Sequence, residues 1–119
     1  MKRTLIVGAS SNPNRYAYLA AQKLIAYHHP VLLLGRKKDS VFGLEIYSEK
    51  IEWTEIDTVT LYINPKHQPE YYDYIISLKP NRVIFNPGTE NPEFESSLLA
   101  INIIPIRACT LIMLSIGQY

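Results

Sequence analysis

Thr4-Leu5-Ile6-Val7-Gly8-Ala9-Ser10-Ser11-Asn12-Pro13-Asn14-Arg15 decides the fold. A short continuous apolar run closed by a glycine and a string of turn formers reads as a strand buried on both faces. Beyond it, Ala17, Ala20, Ala21, Leu24 and Ile25 recur at helical spacing, with side chains small enough to let a helix lie close to a sheet. Buried strand, glycine turn, helix: this is the opening of a parallel crossover unit, and the rest of the chain repeats the theme.

Three more runs, Val31-Leu32-Leu33-Leu34, Thr58-Val59-Thr60-Leu61-Tyr62-Ile63 and Arg82-Val83-Ile84-Phe85, have the same character. A fifth, Ile103-Ile104-Pro105-Ile106, carries a proline that cannot donate to a ladder and therefore belongs on an edge. Pro69 to Leu78 reads as a helix opened by one proline and stopped by Pro80. Pro92 to Ala100 reads as another, with Asn91 as its cap and Glu93 and Glu95 near its positive end. Phe42 to Trp53 is the least regular stretch; Gly43-Leu44-Glu45-Ile46-Tyr47 alternates and suggests a small extra hairpin. The expectation is an α/β fold, a doubly wound parallel sheet of about five strands with right-handed crossovers and helices on both faces.

The chain has 119 residues, 47% hydrophobic and 19% charged, with a net charge of +1. That fits a single domain over residues 1–119 and excludes intrinsic disorder. A neutral balance disfavours nonspecific grip on nucleic acid. The aliphatic runs Val31–Leu34 and Leu111–Leu114 fall far short of the roughly 20 residues a membrane span needs, and the first residues lack the long apolar region of a secretion signal. The single cysteine, Cys109, makes no internal disulfide, so the expected location is cytoplasmic.

In such sheets ligands bind beyond the carboxyl ends of the strands, where strand order reverses. Gly8 permits a tight turn there, and the amides that follow, with Ser10, Ser11 and Asn12, can cradle an anion that Arg15 would cover. The competing reading is a plain Ser/Asn helix cap, since a dinucleotide fingerprint wants three glycines and this loop has one. The second strand ends in Gly35-Arg36-Lys37-Lys38, basic where an NAD-binding fold keeps an acid, which suits a phosphorylated ribose; Asp39 comes too late in the loop to serve as that acid. Asn64-Pro65-Lys66-His67 and Asn86-Pro87-Gly88-Thr89 end the next two strands and border the same cleft, with uncharged hydrogen-bonding groups and one histidine.

Gly8-Ala9-Ser10 with Asn12-Pro13 and Arg15, followed by Asn86-Pro87-Gly88-Thr89-Glu90-Asn91 and the closing Cys109-Thr110-Leu111-Ile112-Met113-Leu114, resembles the small stand-alone bacterial CoA-binding proteins. These are Rossmann-type domains similar to the CoA-binding domain of the succinyl-CoA synthetase alpha subunit. The resemblance implies a three-layer α/β/α domain that binds coenzyme A or an acyl-CoA through its ADP-3′-phosphate part. It implies diphosphate contacts from Gly8, Ala9, Ser10, Ser11, Asn12 and Arg15, and contacts to the 3′-phosphate from Arg36 and Lys37 beside Gly35. Asn64-Pro65 and Pro87-Gly88 would flank the adenine or the start of the pantetheine arm. The turn after the second strand departs from the Pro-Val-Asn-Pro type of many relatives, and the synthetase's phosphorylated histidine belongs to a domain this chain lacks.

No catalytic residue is assigned. Cys109 beside Ala108 and Thr110 reads as a small buried hydrophobe. His28-His29 falls at the carboxyl end of the first helix, where a cation meets the dipole favourably. His67 is on the site's side of the sheet without an evident partner carboxylate. No metal-ligand spacing occurs. Tyr71, Tyr72 and Tyr74 suit half-buried packing with hydroxyls in water, or a protein partner's surface, and Trp53 fits core or surface anchor equally. Three functions are in play: a noncatalytic CoA-binding module, an NADP-linked reductase, and an interaction or self-associating domain with a vestigial nucleotide site.

Overall fold

A computed structural model describes all of residues 1–119. Seven strands form one sheet: β1 (Thr4–Val7), β2 (Val31–Leu34), β3 (Asp39–Val41), β4 (Leu44–Tyr47), β5 (Thr58–Leu61), β6 (Arg82–Phe85) and β7 (Ile104–Arg107). Their spatial order is β3-β4-β2-β1-β5-β6-β7, all neighbours parallel except the antiparallel β3–β4 hairpin. The sheet is therefore mixed, and larger than the five parallel strands the sequence suggests. The hairpin expected near Gly43 exists, but it starts earlier, at Asp39, and β4 docks parallel beside β2.

Four helices cover the two faces: α1 (Tyr16–Ala26), α2 (Tyr72–Leu78), α3 (Pro92–Leu99) and α4 (Thr110–Ser115). Because β side chains alternate between faces, Leu5, Val7, Val59, Val83 and Phe85 pack with Ile75, Leu78, Phe94 and Leu98 on one side, where α2 and α3 lie. Ile6 and Leu33 pack on the other side with Ala17, Ala20, Ala21, Leu24 and Leu114, from α1 and α4. The alanines bring α1 onto the sheet as expected, but Ile25 turns outward and is partly exposed. Asn91 caps α3 as read, its side chain accepting from the Phe94 N–H at 3.1 Å. The expected helix over Pro69–Leu78 begins instead with a 3₁₀ turn, Pro69–Tyr71, before α2 proper, and a separate 3₁₀ turn, Pro65–His67, precedes it. β7 forms an edge with Pro105 in it, and the opposite edge is the short, mostly exposed β3.

Candidate functional site

The order of the parallel strands reverses at β1, which sits between β2 and β5, and a cleft of about 800 Å³ opens above that point. Gly8 leaves β1 with φ of +95°, and a side chain there would meet the Tyr62 carbonyl oxygen at 2.7 Å. The loop then folds back onto β2, the Gly8 and Ala9 N–H groups both donating to the Leu34 carbonyl at 2.9 Å. Gly35 makes this closeness possible, since a Cβ on it would sit 2.8 Å from the Ala9 carbonyl oxygen. Gly35 thus shapes the loop from below, being itself buried and off the cleft wall.

Within the loop Ser10 Oγ accepts from the Asn12 N–H at 3.0 Å, and Asn12 Oδ1 from the Asn14 N–H at 2.9 Å. These are local turns, and they do not cap α1: the residue in the cap position is Arg15, which makes no side-chain cap bond. The helix's first N–H groups are consequently left without side-chain acceptors, beside the cleft that Tyr16 and Ala17 line. The plain helix-cap reading of this loop does not describe its geometry.

Gly8, Ala9, Ser10, Ser11, Arg15, Arg36, Lys37, Asn64, His67, Pro87 and Gly88 all line the cleft, so one site gathers most of the residues singled out from sequence. Arg15, Arg36 and Lys37 are exposed, and none is paired with a carboxylate; the single ion pair of the molecule is Arg107 with Glu95, at 2.9 Å. Asn12 and Pro65 stand just off the wall. Asn86 faces inward: its Nδ2 donates to Thr60 Oγ1 at 2.7 Å and to the Leu61 carbonyl at 2.9 Å, and its Oδ1 accepts from the Thr110 N–H at 2.9 Å. It ties β5, β6 and α4 together beneath the cleft. The Asn64 side chain accepts from the Lys66 N–H, fixing the turn that carries His67.

Tyr62 and Tyr71 also line the cleft, with no motif in the sequence to mark them. Tyr62 contributes to the wall while its hydroxyl is buried and unbonded, and burial holds that phenol far above its ordinary pKa. Tyr71 lines the rim near Arg36; burial, then Glu70, raises its pKa, with Arg36 acting the other way. Gln68, buried to 1% exposure, bridges the two loops of that wall, donating to the Ile63 and Thr89 carbonyls and accepting from Asn91 Nδ2 at 2.9 Å. Asn91 Nδ2 also donates to the Tyr72 hydroxyl, and the Tyr74 hydroxyl donates to the Ile51 carbonyl at 2.6 Å, so these two phenols bond within the protein rather than reach for water. Trp53 packs half-buried, edge-on to Tyr47. Cys109, half-buried in the cap position of α4, is not part of the cleft wall. No three His, Cys, Asp or Glu side chains gather as metal ligands, and no helix is long and apolar enough to cross a membrane.

An open α/β/α sandwich with its cleft at the strand-order reversal, a glycine turn and an uncapped helix start is a Rossmann-like domain. Residues 2–115 match the family model described as a CoA binding domain, and the chain belongs to that family. A crystal structure of an uncharacterized protein superposes with a TM-score of 0.98 at 54% identity, covering 100% of this chain and 98% of that one. A hypothetical protein from Pyrococcus horikoshii OT3 follows at 0.85 and 26% identity, over 92% of this chain and 79% of its own. The structure of cell-free ID.343 from Thermus thermophilus, at 21% identity, shares the fold with a TM-score of 0.86, over 99% of this chain and 90% of that one. No curated protein matches the chain.

Proposed function

We propose that this domain binds coenzyme A or an acyl-CoA through its ADP-3′-phosphate part and acts as a noncatalytic cytoplasmic module. The observation that carries the reading is the meeting of three unpaired cations and an uncapped helix start at one cleft, in a member of the CoA-binding family. The Gly8–Ser11 loop, the first amides of α1 and Arg15 would hold the diphosphate. Arg36 and Lys37 would take the 3′-phosphate as charge-assisted donors. Asn64 and His67 on one side and Pro87-Gly88 on the other would flank the adenine and the start of the pantetheine arm. A binding role rather than a catalytic one fits the surroundings of the two reactive side chains: His67 is exposed with no bonded carboxylate, and Cys109 is off the wall.

A thermal-shift panel with CoA, dephospho-CoA, NADP and NAD tests this. A ligand at 100 times its dissociation constant adds about 2.7 kcal/mol of stability, which moves the midpoint by roughly 5–15 °C in a domain this size. A large shift with CoA, a smaller one with dephospho-CoA and none with NADP is expected. A shift with NADP alone would make the protein a reductase candidate, and silence from all four would point to a vestigial cleft and a protein partner.

A further inference from the structure

Asp39 stands one residue beyond the basic turn, as the first residue of β3, and it lines the cleft together with Arg36 and Lys37. Its carboxylate reaches across the mouth of the site to the phosphate loop: Oδ2 accepts from Ser11 Oγ at 2.6 Å, while Oδ1 accepts from the Ser40 N–H at 2.8 Å. The hairpin fixes where this carboxylate can go, since Asp39 pairs with Ile46, which is buried and lies on the cleft wall. The Ser11 hydrogen bond, then the Ser40 N–H, hold the Asp39 carboxyl below the usual carboxylate range, with Lys37 adding to the effect, so the group is an anion at neutral pH. The second acid of the cleft, Glu70, makes no hydrogen bond to the loop through its side chain. The Gly8–Ser11 loop is thus bonded to a carboxylate of the chain itself.

We propose that the Asp39–Ser11 contact is a self-occupying clasp: a carboxylate that sits where a phosphate oxygen of the ligand would be received and must be displaced before the ligand seats. This rests on the CoA-binding reading above and adds a regulation of that same site. A site held shut by its own anion binds with an affinity reduced by the fraction of molecules that are open. Displacement is driven by the new anion's contacts to Arg15, Arg36 and Lys37, cations that Asp39 leaves without an ion pair. The clasp lowers the affinity of every ligand that needs the open loop by the same factor, so preference among anions comes from Arg15, Arg36 and Lys37.

Isothermal titration of CoA and dephospho-CoA into wild type, Asp39→Asn, Ser11→Ala and the double variant tests the clasp. Asp39→Asn tightens both ligands by about fivefold, which corresponds to a clasp closed about four-fifths of the time. Both ligands gain alike, because both displace the same carboxylate. In the Ser11→Ala background, where no clasp exists, Asp39→Asn changes affinity by less than about twofold. A loss of hairpin structure can only weaken binding, so a gain is the signature of the clasp. CoA binding that is unchanged or weakened by Asp39→Asn overturns the clasp alone, as does an equal gain with and without Ser11. Failure of all four chains to bind either ligand overturns the CoA reading and the clasp with it.

Discussion

The two ends of the sheet carry similar chemistry and use it in opposite ways. At the amino ends of the strands, the Tyr119 main-chain oxygen accepts from Arg82 Nη2 at 2.9 Å and from Lys2 Nζ, and its hydroxyl lies 2.6 Å from Thr4 Oγ1. Arg82 also lies over the Tyr119 ring, His29 meets the ring's edge, and Asp57 accepts from Thr58 and Asn81. These polar groups find their partners within the chain, Arg3 Nε being the buried exception. At the carboxyl ends Arg15, Arg36 and Lys37 have none, and α1 begins uncapped. Charge that is consumed internally holds the fold, whereas charge left unpaired around a concavity is available to something else. The contrast separates a structural polar cluster from a receptive one without reference to any ligand.

The largest effect that would sharpen this contrast is at the receptive end. Arg36→Glu with Lys37→Glu should weaken CoA by about 100-fold and dephospho-CoA by less than about tenfold, with folding stability within about 0.5 kcal/mol of wild type. Calorimetric titration with a urea melt reads both, and equal losses for the two ligands would remove these side chains from the 3′-phosphate. Next comes Asn86, which lies under the cleft yet bonds only inward. Asn86→Ala should cost about 2 kcal/mol in urea unfolding, because it strands the buried Thr110 N–H. Tyr119→Ala, at the other end, should cost about 1.5 kcal/mol and leave CoA affinity within twofold. Lost affinity in that variant would break the separation of the two ends.

The smallest effect concerns pH. His29 is held below its ordinary pKa, first by burial and then by the positive groups around it, Lys2 and Arg82 among them. Its Nδ1 accepts from the Lys2 N–H at 3.0 Å, which requires an unprotonated nitrogen. The unfolded chain therefore binds more protons than the folded one as pH drops below about 6.5, and stability falls from there toward the lower folded value. The favourable helix-end cation expected at this position is not what His29 supplies. His29→Gln, which keeps an acceptor, should flatten the melting temperature between pH 7 and pH 5; an unchanged slope would assign the loss to other groups.

How far the molecule was legible depended on which physical signal each element carries. β1 announced itself because a strand buried on both faces leaves a run of apolar residues, and Asn91 and Pro105 were legible because capping and a missing N–H act locally. β3 leaves no signal in the sequence, because Asp39-Ser40-Val41 has almost no apolar content and exists through pairing with β4. α4, with six residues, is too short to display a helical period and registered only as an apolar stretch. The cleft followed from the strand-end rule, but side-chain direction did not: nothing in Asn86-Pro87-Gly88 says that the asparagine turns inward while its neighbours face the cleft. Gln68 was silent for the same reason, its importance lying in partners more than twenty residues away.

The proline in β7 has a consequence for how the molecule behaves in company. Ile104 and Ala108 donate inward, to the Asn81 and Phe85 carbonyls, so in the alternation of a parallel ladder Pro105 and Arg107 face outward. One of those two outward positions has no hydrogen to offer and the other carries a cation. At the far edge, β3 is three residues long and presents Asp39 and Ser40 to water. A growing cross-β stack needs a long, uncharged row of donors to copy, and neither flank supplies one. The sheet ends at both sides in a form that gives no template to a neighbour, so crowding of this chain during synthesis or refolding has no edge from which to propagate.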